Sequence, residues 1–251
     1  MYDFARSTLT PFVTTGGSSQ APVWTPEGTR VIYRGTRQGM RNLYLRAADG
    51  TGAEERLTTK EDVTQTPTAA SRDGRWVVFY DTGQRNLGGG DLYALELTGD
   101  RTPRLLVQTP GRDFSGVVSP DTRWLAFVST VSGRNEVYVQ PFPGPGPRQQ
   151  ISTDGGWEPA WSVDGRELLY TNITASRLMA VTVSAGAAFT AGSPRLLHEG
   201  RFRPNSNGNV PFSVAADGRT LRVQQVHQDE SLTRIEVVVN WFTLLGAAPG
   251  R

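Results

Sequence analysis

The sequence predicts an all-β fold made of repeated four-stranded antiparallel units. Three observations carry this: a short turn motif occurs five times, each copy is followed by the same apolar alternation, and the chain is rich in residues that reverse its direction. Its 251 residues include 28 Gly and 16 Pro, with 37% hydrophobic and 9% aromatic residues. That composition supports a core together with many short strands and turns. No window nears the ~18 uninterrupted apolar residues of a membrane helix, so no membrane insertion by this segment is expected. Met1 to Arg6 lack a basic-then-apolar leader pattern. Cysteine is absent, which excludes disulfides and thiolate metal sites and suits reducing and oxidising compartments equally. The formal charge is +2, Lys60 is the single lysine, and the arginines are scattered. An isoelectric point near 9.1 therefore gives no reason to expect a nucleic-acid partner.

The turn motif runs Pro22 to Gly28, Thr68 to Gly74, Gly116 to Thr122, Pro159 to Gly165 and Phe212 to Gly218. Its last residues, Gly28, Gly74, Thr122, Gly165 and Gly218, are spaced by 46, 48, 43 and 53 residues. The ~40–45 residues of a propeller blade plus loop insertions fit that spacing. Asp-Gly between two strands is a hairpin signal, because Gly accepts positive φ and Asp bonds its own backbone. Thr122 stands where the other copies have Gly, so that turn is expected to be altered or strained. The motif acids occupy one turn position in separate copies, and so read as turn residues rather than paired catalytic carboxylates.

Three and five residues after each anchor stand Val31/Tyr33, Val77/Phe79, Leu125/Phe127, Leu168/Tyr170 and Leu221/Val223. Period-two spacing puts both members of a pair on one buried face of a second strand. A third strand follows at Asn42–Leu45, Asp91–Leu95, Glu136–Val139, Arg177–Val181 and Arg234–Val237. A fourth follows at Glu55–Thr58, Arg104–Leu106, Gln150–Ser152 and Arg195–Leu197. Four-stranded twisted sheets bury their faces by packing on their neighbours, and the arrangement that closes is a ring, a β-propeller.

The ends refine the outline. Tyr2–Phe4 matches a third strand and Thr10–Thr14 a fourth, while Arg234 to Trp241 forms a third strand with no fourth after it. One propeller domain over 1–251 is expected, with a half blade at 1–19 and whole blades at 20–59, 60–111, 112–153 and 154–200. A three-stranded last blade at 201–245 and a tail at 246–251 complete it. The favoured reading is a fragment of a six-bladed ring; five-bladed closure by the N-terminal strand is the alternative.

The copies, above all Trp161-Ser162-Val163-Asp164-Gly165 and Trp24-Thr25-Pro26-Glu27-Gly28, resemble the WD-like propeller repeat of TolB and its relatives. Tyr2 to Thr10, and Ile235 to Leu245 with Asn240-Trp241-Phe242, look like the propeller that follows the kinase domain in a group of bacterial serine/threonine kinases. That resemblance implies a sensing or interaction module tethered to a membrane through its parent, and an extracytoplasmic location. The chain itself has no Gly-rich nucleotide loop, no His-Arg-Asp loop and no Asp-Phe-Gly; Asp3-Phe4-Ala5 lies in a strand. Similar propellers precede the hydrolase domain of prolyl-oligopeptidase-type enzymes, but no Gly-x-Ser-x-Gly elbow is present.

No cofactor is expected. His198 and His227 lack ligand partners at metal spacing. Gly83 to Gly90 and Pro141 to Pro147 read as loops, since no helix N-terminus follows to cradle a phosphate. The loops joining each fourth strand to the next first strand gather at the channel mouth in a propeller. The candidate binding residues there are Arg112, Asp113, Phe114, Trp157, Glu158, Arg201, Arg203 and Asn205, beside Glu61, Asp62, Asp154, Phe202 and Asn207. Mixed charges beside aromatics suit a recognition surface for a protein or peptide, a small ligand or a glycan. The competing reading is that Phe114 and Trp157 wedge neighbouring blades. The expected function is a non-catalytic binding or sensing module of a larger bacterial protein. The alternatives are a glycan lyase or hydrolase using Asp113, Glu158 or Asp154, and the propeller of a peptidase.

Overall fold

The computed structural model describes residues 2–3, 7–9, 12, 17–37, 39–83, 90–185, 188–200, 212–214 and 220–222. Every regular element among them is a β-strand. The chain divides into two compact units, Met1–Gly116 and Val117–Arg251.

The first unit opens with β1 (Tyr2–Asp3) and β2 (Thr8–Leu9), which pair antiparallel. The fourth-strand expectation at Thr10–Thr14 falls almost wholly outside the described residues; Phe12, in a bend, is the exception. The first full sheet is β3 (Ser19–Trp24), β4 (Arg30–Arg37), β5 (Met40–Ala47) and β6 (Glu55–Arg56), paired in sequence order. The second is β7 (Val63–Ala70), β8 (Trp76–Gly83), β9 (Asp91–Glu96) and β10 (Arg104–Val107), paired likewise. A parallel bridge from Arg41 to Thr64 joins the two sheets.

The third sheet runs β11 (Asp113–Val118), β12 (Trp124–Ser129), β13 (Glu136–Pro141) and β14 (Gln149–Gln150). In the second unit β15 (Trp157–Trp161), β16 (Glu167–Thr171) and β17 (Arg177–Ala185) pair in order. β17 outruns the expected strand by four residues and splits its free edge. Its end carries β18 (Phe189–Ala191), and its start carries β19 (Arg195–Glu199), the fourth strand. β20 (Phe212–Val214) and β21 (Thr220–Arg222) begin a further hairpin. The third strand expected at Arg234–Val237 and the candidate residues Arg201, Phe202, Arg203, Asn205 and Asn207 lie outside the described residues, as does His227.

The alternation read from the sequence builds the core. Val31, Tyr33, Val77, Phe79, Leu125, Phe127, Leu168 and Tyr170 are all buried. The second member of each pair faces a large side chain on the third strand, in register: Tyr33 on Tyr44, Phe79 on Tyr93, Phe127 on Tyr138 and Tyr170 on Met179. The three aromatic pairs stack at 6.1, 5.5 and 5.9 Å between ring centroids. Offset stacking of this kind adds ~0.5–1.5 kcal/mol to the burial itself. Packing between sheets appears in the first unit, where Ile32, Leu43, Leu45 and Leu57 of one sheet share a cluster with Val77, Phe79, Leu95 and Leu97 of the next.

The turn anchors behave as one device. Gly28, Gly74 and Gly165 take φ of 70, 71 and 71°, and Thr122 takes 60°. Each donates its N–H to the residue three positions back: Thr25 at 2.9 Å, Ser71 at 3.0, Ser119 at 2.9 and Ser162 at 2.9. The turn at Thr122 is therefore kept rather than altered, with a β-branched residue held left-handed.

Candidate functional site

Each turn is locked by a side-chain relay. In three copies a serine hydroxyl (Ser71, Ser119, Ser162) donates to the turn carboxylate (Asp73, Asp121, Asp164). The same hydroxyl accepts the N–H that opens the second strand, from Trp76 at 2.9 Å, Trp124 at 3.0 and Glu167 at 2.9. The carboxylates also accept N–H bonds from Arg75, Arg123 and Arg166. For Asp164 the Ser162 and Arg166 bonds hold the carboxyl below its ordinary value. Asp121 is lowered as well, because burial, which acts upward, is outweighed by Ser119 and Arg123. These acids are structural, as their turn position implied.

A second row of polar contacts clasps the third strand to the fourth. Thr58 Oγ1 donates to Asn42 Oδ1 at 3.3 Å, Gln108 Nε2 donates to Asp91 Oδ2 at 2.8 Å, and Arg177 Nε donates to Glu199 Oε1 at 2.9 Å. In the third sheet Ser152 Oγ donates to the buried Glu136, which also takes Arg134 Nε at 2.6 Å and Gly155 N–H at 3.1 Å. One place in the repeat thus holds four different chemistries. In the second sheet Asp81 stands opposite both Gln65 and Asp91. Burial raises its carboxyl above the ordinary range although Lys60 Nζ lies 3.2 Å away, and Asp91 adds to the rise. Burial, with Glu136 and Asp154 behind it, pushes the Tyr170 phenol up to about 12.

The candidate residues divide sharply. In the first unit Arg112 is exposed, with its guanidinium carbon 5.3 Å from the centroid of Phe114, whose ring is buried. Asp113 is fully buried and accepts the Thr109 N–H at 2.8 Å and its hydroxyl at 3.1 Å. Glu61 and Asp62 are exposed. In the second unit Trp157 is partly exposed, while Glu158 is buried and accepts the Thr171 hydroxyl at 3.0 Å. Asp154 is exposed, with Arg134 Nη1 at 3.9 Å. Asp113, Phe114 and Glu158, placed by the sequence in loops at the channel mouth, thus lie buried within strands, while Glu61, Asp62 and Asp154 stay exposed. His198, on β19, has Leu178 as its register partner.

Sequence reasoning missed a break in the first strands. Seven residues before the anchor stand Ala21, Pro67, Ser115 and Glu158. Ala21, Ser115 and Glu158 have φ of 54, 52 and 56°, and the pairing register slips beside Ala21, Pro67 and Glu158. Such bulges re-aim side chains and concentrate near functional sites. The signal was present in the prolines at 22, 67 and 159, since a paired strand tolerates proline mainly at a bulge or an edge.

Four-stranded antiparallel sheets that repeat the same locked hairpin, three of them opening on a strand whose register slips, define a β-propeller fold. No family model matches the chain, and no curated protein matches it by sequence. Solved structures do resemble it. TolB of Acinetobacter baumannii aligns at 19% identity and TM-score 0.58, over 77% of this chain and 49% of its own. The β-propeller domain of a Myceliophteria thermophila protein aligns at 12% and 0.56, over 80% and 64%. The periplasmic gluconolactonase of Pseudomonas aeruginosa aligns at 16% and 0.56, over 89% and 74%. The chain spans about half the length of that TolB. These likenesses show the fold.

Proposed function

We propose that this propeller is a non-catalytic binding module that takes a protein or peptide partner at the loops opening its first strands. It would act within a larger bacterial protein such as a receptor-type serine/threonine kinase. The observation that carries this reading is the fate of the acids: Asp113 and Glu158 are buried and bonded to Thr109 and Thr171, while Arg112, Trp157 and Asp154 keep access to solvent. Buried, bonded carboxylates hold loop geometry, and an exposed arginine in the first unit and a partly exposed indole in the second are side chains of the types that dominate recognition surfaces. Arg201, Arg203 and Asn205 belong to the same proposed rim, and the blade boundaries and six-bladed parent belong to the same reading. Replacing Arg112, Trp157 and Arg203 together by alanine is expected to abolish partner capture in a pull-down while leaving the thermal midpoint unchanged. Unchanged capture would sink this choice of surface.

A second reading, an enzyme at the channel mouth, draws on the gluconolactonase likeness. An activity screen of the whole chain against lactones and glycans separates the two. Turnover lost on Asp154→Asn would replace the binding reading.

A further inference from the structure

Two partly buried arginines, Arg34 and Arg46, have no ion pair among the described residues, but Arg46 acts on the carboxylates of Asp49 and Glu54, whereas the charges acting on Arg34 include no carboxylate. Nine described arginines form ion pairs with carboxylates. Arg34 is partly buried and forms none among the described residues. Its Nη1 donates to Thr66 Oγ1 at 2.9 Å and its Nη2 to Gln20 Oε1, both neutral acceptors. The groups acting on its charge are Tyr80 and a second arginine, Arg41. Stripping water from a guanidinium without a counter-ion is costly, and burial, with Arg41 beside it, depresses its proton affinity.

The register explains how the two cations meet. Arg34 pairs with Leu43 and Thr36 with Arg41, so Arg34 and Arg41 are diagonal neighbours on one face of the β4–β5 hairpin. That face turns toward the second sheet, since Ile32 and Leu43 on it pack against Val77 and Phe79. At its rim Arg41 is bridged to Thr64, and the buried Thr66 receives Arg34. Arg41 is exposed and has no ion pair among the described residues. Two of the five guanidinium N–H donors of Arg34 are held by neutral acceptors that fix its plane, which leaves the others for a ligand.

We propose that this seam between the first two complete sheets, at Gln20, Arg34, Arg41 and Thr66, binds a carboxylate carried by an acidic peptide segment of a partner. A fixed planar fork matches a planar carboxylate through paired N–H bonds. A single carboxylate balances the single partly buried charge, and Arg41 adds an exposed donor beside it. The site shares no residue with the Arg112 and Trp157 rim, so it stands even where replacements at that rim leave capture intact.

Titration calorimetry on the whole chain tests it with three probes: a capped hexaglutamate peptide, its hexaglutamine counterpart and inorganic phosphate. Hexaglutamate is expected to bind, more weakly as salt rises, and hexaglutamine not to bind. Arg34→Gln should weaken hexaglutamate ~10-fold or more, and Arg41→Gln about threefold. Without peptide, Arg34→Gln should match or exceed the wild-type thermal midpoint, because an uncompensated charge is gone; hexaglutamate should raise the wild-type midpoint more than that of Arg34→Gln. Should Arg34→Gln fail to fold, Arg34→Lys keeps the charge without the fork and is expected to lose most of the affinity. Binding undiminished in Arg34→Gln or Arg34→Lys, phosphate binding without hexaglutamate binding, no binding by the wild type, or a lowered midpoint in Arg34→Gln would each overturn the proposal.

Discussion

Thr122→Gly is expected to stabilise the protein, against the usual direction of point mutations. The residue sits at φ 60° where three other copies of the turn use Gly near 70°. A side chain in the left-handed region costs ~1–2 kcal/mol, and β-branching does nothing to relieve it. Glycine costs ~0.5–1 kcal/mol of extra chain entropy on folding, so the net gain is about 1 kcal/mol. The turn bond survives the change, since it is the backbone contact from Thr122 N–H to Ser119 O at 2.9 Å. For a chain of this size that gain is a rise of roughly 2–4 °C in thermal midpoint, read by circular dichroism. The reverse change, Gly165→Thr, probes the same term. A Cβ there would meet Pro120 Cδ at 3.5 Å, an ordinary contact, so its expected cost of about 1 kcal/mol is torsional alone. A destabilised Thr122→Gly, or a neutral Gly165→Thr, would refute the reasoning.

Three further outcomes follow from the polar rows. Glu136→Ala leaves Ser152, Gly155 N–H and Arg134 without their shared acceptor and is expected to cost ~3 kcal/mol in urea unfolding, with Glu136→Gln milder. Asp81→Asn should raise the midpoint at pH 7 by roughly 2 °C, because the folded protein holds that carboxyl above its ordinary value. The turn acids Asp121 and Asp164 are lowered instead, so their contribution is present above the unfolded value near 3.8 and is lost as pH falls through the lower folded values. Midpoints measured from pH 6 to pH 2 should therefore fall less steeply in Asp121→Asn/Asp164→Asn than in the parent.

Legibility followed the range of the interaction that fixes each feature. The hairpins were readable because everything that shapes them lies within seven consecutive residues; Ser119, Asp121 and Thr122 close their own turn. The alternation was readable because burial of Val77 and Phe79 depends on period alone. β18 was missed because Phe189 is held by ring contacts with Trp124 at 5.1 Å and Trp161 at 6.2 Å, both distant in sequence. The burial of Asp113 and Glu158 was missed for a related reason: the bulge that turns a first strand is set by pairing with the second.

The same contrast bears on where function can change. The turn relay repeats one chemistry because its donors and acceptors are neighbours in sequence, and any departure, such as Thr122, is carried as strain at that spot. The clasp between third and fourth strands demands only that two side chains satisfy each other, so Asn42 with Thr58, Asp91 with Gln108, Glu136 with Ser152 and Arg177 with Glu199 all serve. A position that accepts neutral, acidic or basic pairs equally leaves the blade intact while changing the charge at its edge. Arg34 departs from this pattern: it is partly withdrawn from water, is fixed by neutral neighbours and has no acid paired with it among the described residues. A partly buried charge held by neutral acceptors, with no counter-ion among the described residues, is better understood as half of an interaction than as an error of packing.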